Sequence, residues 1–163
     1  MDQPEKPAAE PTAAEIAQQN VAAIRQQFLN GVSWFYWIGA LSLINLALGH
    51  FLHRKFIFGL GIPALLDTRA FEQGKINPGW IAASVAVSLG FMGLGFLGRK
   101  GKRLFIILGL AIYALDLALL VLAKDWLSVL FHGFAGWSII KGYQALGTIL
   151  AGVPDSTVKA AAE

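Results

Sequence analysis

Apolar positions in this chain fall into four long blocks separated by short polar turns, with a more weakly patterned stretch in front of them. A helix needs about 20 apolar residues to cross roughly 30 Å of hydrocarbon. Blocks at about 34–52, 79–98, 104–123 and 126–146 meet that length. The first opens on Trp34, Phe35, Tyr36 and Trp37, an aromatic belt for one interface, and closes on His53, Arg54 and Lys55 at the other. The second follows Asn77-Pro78, an N-cap residue and a proline suited to the first helical turn, with Trp80 as its anchor. Arg99, Lys100, Lys102 and Arg103 form the turn into the third block, and Lys124-Asp125 form the hairpin into the fourth.

Two further elements are expected. Thr12-Ala13-Ala14-Glu15 has the form of a capping box, and Ala17, Val21, Ile24 and Phe28 recur behind it at helical spacing. This predicts an amphipathic helix over 12–31, ending near Asn30-Gly31 and lying on the bilayer surface or against a partner. Between the first two spans, residues 56–74 carry an apolar run too short to cross, broken by Gly59, Gly61 and Pro63. A short helix from about Pro63 to Phe71, at the interface or dipping into it, fits that pattern. Residues 1–11 read as a disordered tail without the features of a signal peptide, and 152–163 as a short polar tail. The expected fold is all-α: an integral membrane four-helix bundle, up-down-up-down, with an amphipathic N-terminal helix and a short interfacial helix between spans one and two.

Composition sharpens this picture. Hydrophobic residues make up 56% and charged residues 14% of the 163, against about 45–50% and about 25% in ordinary globular domains. Four spans leave no room for a soluble domain of normal size. The absence of cysteine excludes disulfides, iron–sulfur clusters, c-type haem attachment and thiol catalysis. The net charge of +3 comes without a basic, aromatic-interleaved module, so nucleic acid is not an expected partner. The compact basic turn at 99–103 instead sets orientation, placing both termini in the cytoplasm.

Several patterns resemble chemical motifs without the context those motifs need. Gly93-Leu94-Gly95-Phe96-Leu97-Gly98 spells the dinucleotide fingerprint, but it lies inside an apolar span with no strand before it. No zinc-protease, nucleophile-elbow or phosphate-loop motif occurs. Ala82, Ala86 and Gly90, four residues apart, are better read as helix packing, as are Gly133 and Gly136 in the fourth span.

The sharpest chemical feature is polar. Asp116 in the third span and His132 in the fourth stand about eight residues either side of the Lys124-Asp125 turn. At 1.5 Å per residue both lie about 12 Å below the same interface, where a carboxylate–imidazole hydrogen bond can form. His50 and His53, near the end of the first span, belong to the same leaflet, and Asp116, His132 and His50 form the candidate buried cluster. One reading is structural pairing that fixes helix register. The other is a proton, metal or cofactor role, with a b-type haem between two histidines as one version. Asn45, near mid-span, suits an interhelical hydrogen bond, and Lys141 is close enough to the cytoplasmic end to snorkel.

The segments SWFYWIGALSLIN, FGLGIPALLD and YALDLALL with DWLSVLFH resemble a set of uncharacterised small bacterial four-helix membrane proteins, over about residues 33 to 146. That resemblance implies a bacterial inner-membrane setting and brings no activity or catalytic residues with it. Three functions remain open: an accessory or scaffolding subunit of a membrane complex, a small oligomeric transporter or channel component, and a membrane enzyme or redox carrier using the Asp–His cluster. The expected partners are the lipid bilayer and other membrane subunits, or further copies of the chain.

Overall fold

The computed structural model describes residues 12–52, 59–70 and 77–152. The expected terminal tails, apart from Gly152, and His53 lie outside them. Among the described residues every element is helical: α1 (Ala13–Leu52), α2 (Gly61–Ala70), α3 (Pro78–Arg99), α4 (Arg103–Leu122) and α5 (Trp126–Leu150). Three of these helices are long and apolar enough to cross a membrane, namely α1 over Ala13–His50, α3 and α4. α5, of 25 residues, has the length but carries Ser128, His132, Ser138, Lys141 and Gln144.

Caps that the sequence announces locally are in place. Asn77 accepts from the Gly79 amide at 3.0 Å ahead of Pro78, and Gly101, at φ 76°, turns the chain from α3 into α4. At the start of α1, Glu15 bonds the Thr12 amide at 2.7 Å and the Thr12 hydroxyl at 2.9 Å. Those bonds, the backbone one first, hold the exposed Glu15 carboxyl below its ordinary value.

One expected boundary is absent. The amphipathic segment over 12–31 does not end at Asn30-Gly31; α1 is a single helix of 40 residues, about 60 Å long. Gly31 is there for close approach, not for termination. A Cβ on it would lie 2.6 Å from Gly142 Cα and 2.7 Å from the Ser138 carbonyl, both backbone atoms of α5. Further along, Trp34 meets Phe134 edge-on at 5.4 Å and Phe131 at 6.0 Å, so α1 and α5 run antiparallel.

The core joins Val32, Phe35 and Ile38 of α1 to Phe91, Ile106, Tyr113, Ala135 and Ile139, with Phe35 edge-on to Phe91 at 5.1 Å. Apolar residues outside this core stay uncovered: Leu115 is 68%, Leu130 73% and Leu122 79% exposed. In a bilayer such side chains lose nothing by facing lipid, and helices associate through dispersion and hydrogen bonds rather than hydrophobic burial. At one end of the bundle, basic groups lie over aromatic rings. Arg99 stacks on Tyr36 at 5.8 Å, Lys100 on Phe96 at 4.4 Å and Lys141 on Trp137 at 5.1 Å.

The small residues expected to pack α3 against another helix lie on its outer face. Ala82, Ala86 and Gly90 are exposed, and a Cβ on Gly90 or Gly93 would meet nothing within 4 Å. The inward face of α3 is instead Ser84, Ser88, Phe91, Gly95 and Gly98. In α5, Gly133 is also exposed, while Gly136 faces the edge of the Tyr113 ring. Gly90→Ala is therefore expected to leave stability unchanged or raise it by up to about 1 kcal/mol, the helix-propensity difference. Thermal unfolding in detergent checks this, and a loss above about 1 kcal/mol would mean that the face is covered.

Candidate functional site: a buried acid–base pair that seats a short helix

α2 (Gly61–Ala70) packs against α1, α3 and α4. Its N-terminus enters the bundle among α1, α3 and α4, with Leu60 and Pro63 buried. A helix start carries backbone donors without intrahelical partners, and burying them in apolar surroundings is costly. Here each donor is accounted for. The Leu60 amide donates to Ser42 Oγ of α1 at 2.9 Å. Gly61 N–H donates to Asp116 Oδ2 at 2.8 Å and Ile62 N–H to Asp116 Oδ1 at 2.7 Å. Pro63 has no N–H, and the Ala64 amide reaches the Leu60 carbonyl at 3.3 Å. Of the two glycines that make this segment look broken, Gly59 lies against Asn45 and Ser42 of α1, and Gly61 against Leu120 and Asp116 of α4.

Asp116 and His132 meet as the hairpin arithmetic suggests, with His132 Nε2 2.9 Å from Asp116 Oδ2 and both side chains fully buried. His132 Nδ1 lies 2.9 Å from the Ser128 carbonyl one turn back. Ser128 in turn donates through its hydroxyl to Asp125 at 2.7 Å and through its amide at 3.2 Å, which caps α5. A string of hydrogen bonds thus runs from the hairpin turn through Asp125, Ser128, His132 and Asp116 to the start of α2.

The geometry fixes a proton count. A carbonyl only accepts, so Nδ1 must carry hydrogen. Nε2 faces a carboxylate oxygen, so one more proton lies on that line, on the ring or on the acid. In either form the pair holds one shared proton and is neutral overall. The ring is packed against Tyr113, centroids 4.5 Å apart and planes at 14°, with the Phe131 edge at 6.2 Å.

Both ring nitrogens are engaged, so His132 as held offers no lone pair to a metal or a haem iron. No group of three His, Cys, Asp or Glu side chains gathers among the described residues. His50 does not join the pair: neither Asp116 nor His132 bonds to it, and it lines an apolar groove of about 310 Å³ with Leu43, Leu46, Ala47, Ile81 and Val85. Asn45 sits beside Gly59, at the entry to α2.

Sequence reasoning misses Ser42, Ser128, Tyr113 and the α2 amides. The available signal was chemical: a carboxylate inside an apolar helix with one imidazole still lacks donors, and the amides of a helix start are free to supply them. The Tyr113 hydroxyl is buried without a hydrogen-bond partner. Tyr113→Phe removes an unsatisfied group and keeps the stack, so it is expected to be neutral or to stabilise by about 1 kcal/mol in chemical denaturation. A loss of more than that would point to a partner for the hydroxyl. No protein-family model, curated protein or solved structure matches the chain, so the site stands on its own geometry.

Proposed function

We propose that this protein is an accessory, scaffolding subunit of a larger bacterial membrane complex, with α5 as its fourth span and both termini cytoplasmic. One observation carries the reading. The only acid and base buried among the described residues, Asp116 and His132, are spent on holding α2. The features left without a partner lie on the outside. These are the Ala82–Ala86–Gly90 face of α3 and the early turns of α1, where Ile16 is 46% and Val21 43% exposed. Small residues on a lipid-facing helix allow close approach of another helix. The basic, aromatic-stacked end fits the cytoplasmic side, and the setting agrees with the resemblance to small bacterial four-helix membrane proteins.

The test is to extract tagged protein from its native membrane in mild detergent and identify the subunits that co-migrate at native size. Unrelated membrane proteins in fixed ratio, lost on Ala86→Leu with Gly90→Leu, support the reading. A chain that runs alone or only with copies of itself sinks it.

A further inference from the structure

We propose that the basic turn between α3 and α4 is a binding site for the phosphate group of anionic phospholipids. The proposal goes beyond the scaffolding role and depends neither on it nor on which side of the membrane the turn faces. Four of the five residues at 99–103 are cationic, and Gly101, at φ 76°, folds them into one tight turn. Both helices that the turn joins are long and apolar enough to cross a membrane, so in a bilayer it stands at the depth of the headgroups. All four basic side chains are exposed. Among the described side chains, no carboxylate offsets their mutual repulsion. Asp116 is held by α2 and His132, Asp125 caps α5 at the other end of the bundle, and Glu15 bonds Thr12 at the far tip of α1. Lys102 and Arg103 stand at the start of α4, where the helix dipole is positive, and no acidic residue occupies its first turn. The group that offsets these charges is an anion from outside the chain.

The surroundings of the cations favour a lipid over a soluble anion. Lys100 lies over the Phe96 ring at 4.4 Å and Lys102 over Phe105 at 5.9 Å, while Arg99 reaches Tyr36 of α1 at 5.8 Å. Arg103 leans toward α5, where a Cβ on Gly147 would lie 3.8 Å from its guanidinium. The charged heads are thus held against the helices and spread around the turn. Toward the membrane interior the flank beside them is apolar, with Phe96, Leu104, Ile107 and Leu108 all exposed. A soluble phosphate leaves that flank bare, whereas a phospholipid presents its phosphate to the cations and its acyl chains to the flank. Guanidinium and ammonium donors both suit phosphate oxygens. Phosphatidylcholine supplies the same chains and phosphate but carries its own ammonium, which the four cations repel. The turn therefore discriminates between lipids by headgroup charge.

The test reconstitutes the full chain in phosphatidylcholine bilayers at low salt. Electron paramagnetic resonance of trace spin-labelled phosphatidylglycerol or phosphatidylcholine then measures the lipid immobilised on the protein. Phosphatidylglycerol should be held at least about fivefold more strongly, the size of effect that a single basic residue has at an anionic surface. Neutralising the turn in halves, by Arg99→Gln with Lys100→Gln or by Lys102→Gln with Arg103→Gln, should lower that ratio by at least about twofold each time. All four changes together should bring it close to unity. Exchanging each lysine of the turn for arginine and each arginine for lysine keeps the charge and should keep the ratio. Arg25→Gln with Lys124→Gln removes as much charge as either half, from elsewhere on the surface, and should leave the ratio unchanged. An excess of glycerol phosphate, added at constant ionic strength, should not displace the lipid. A wild-type ratio near unity overturns the proposal. So does a ratio that survives neutralisation of the whole turn, or one that falls as far in the Arg25 and Lys124 control. Displacement by glycerol phosphate overturns the assignment to a lipid and makes a free phosphate compound the occupant.

Discussion

Asp116→Ala is expected to destabilise the protein by about 3–5 kcal/mol, the largest effect of any single truncation in the bundle. The change removes an acceptor from Gly61, Ile62 and His132 together. A buried donor left unmade costs about 1–3 kcal/mol, and two of these are backbone amides that cannot turn away without withdrawing the helix. Hydrogen bonds between membrane helices average only about 0.6 kcal/mol when one is deleted, because the separated helices find other partners. That lower figure concerns single side-chain bonds, whereas here two backbone amides and an imidazole lose one acceptor together. Unfolding in mixed micelles, followed by tryptophan fluorescence, gives the number. The double substitution Asp116→Ala with His132→Ala should cost less than the sum of the two, because each single change leaves an unmatched partner. A loss below about 1 kcal/mol for Asp116→Ala would mean that α2 is not held by this carboxylate.

The second large effect is expected at the crossing of α1 and α5. Gly31→Val should cost about 3 kcal/mol, the upper part of the range for overpacking. The atoms in the way are backbone atoms of Gly142 and Ser138, which no rotamer change can move. Gly142→Val should do the same from the other side, against Gly31 Cα at 2.8 Å and the Phe28 carbonyl at 3.1 Å. The two substitutions together should be far from additive, since either one already separates the helices. The same unfolding assay decides, and a Gly31→Val variant within about 1 kcal/mol of wild type would show that this contact is not made. The contrast with Gly90 is instructive, because identity as glycine says nothing about cost until the facing atoms are known.

What was readable in the sequence was whatever depends on near neighbours. α3 and α4 lie close to the expected limits because apolar length, Asn77-Pro78 and the basic turn at 99–103 are local signals. The meeting of Asp116 with His132 was readable too, because equal distance from a tight turn is arithmetic. The seating of α2 was not, since its amides lie 54 and 55 residues from the carboxylate and no periodicity encodes that pairing. Asn30-Gly31 misled for a related reason. Glycine ends helices and also lets them touch, and the deciding partner, Gly142, is on the last helix. The stripe on α3 was recognised as small, but spacing alone cannot tell whether a membrane helix turns that face inward or outward.

The uninterrupted length of α1 has a mechanical consequence. A helix of 40 residues without a break is a rod held in the bundle from Phe28 to Leu46, with its first turns standing clear as a lever. Membrane helices change tilt to match the thickness of the bilayer around them. For a free part of about 15 residues, about 22 Å long, a change of about 10° moves the tip by about 4 Å. Because no hinge lies between the buried part and the free part, thinning or thickening of the lipid would be read out as displacement of the Thr12–Glu15 cap at the far tip of the helix.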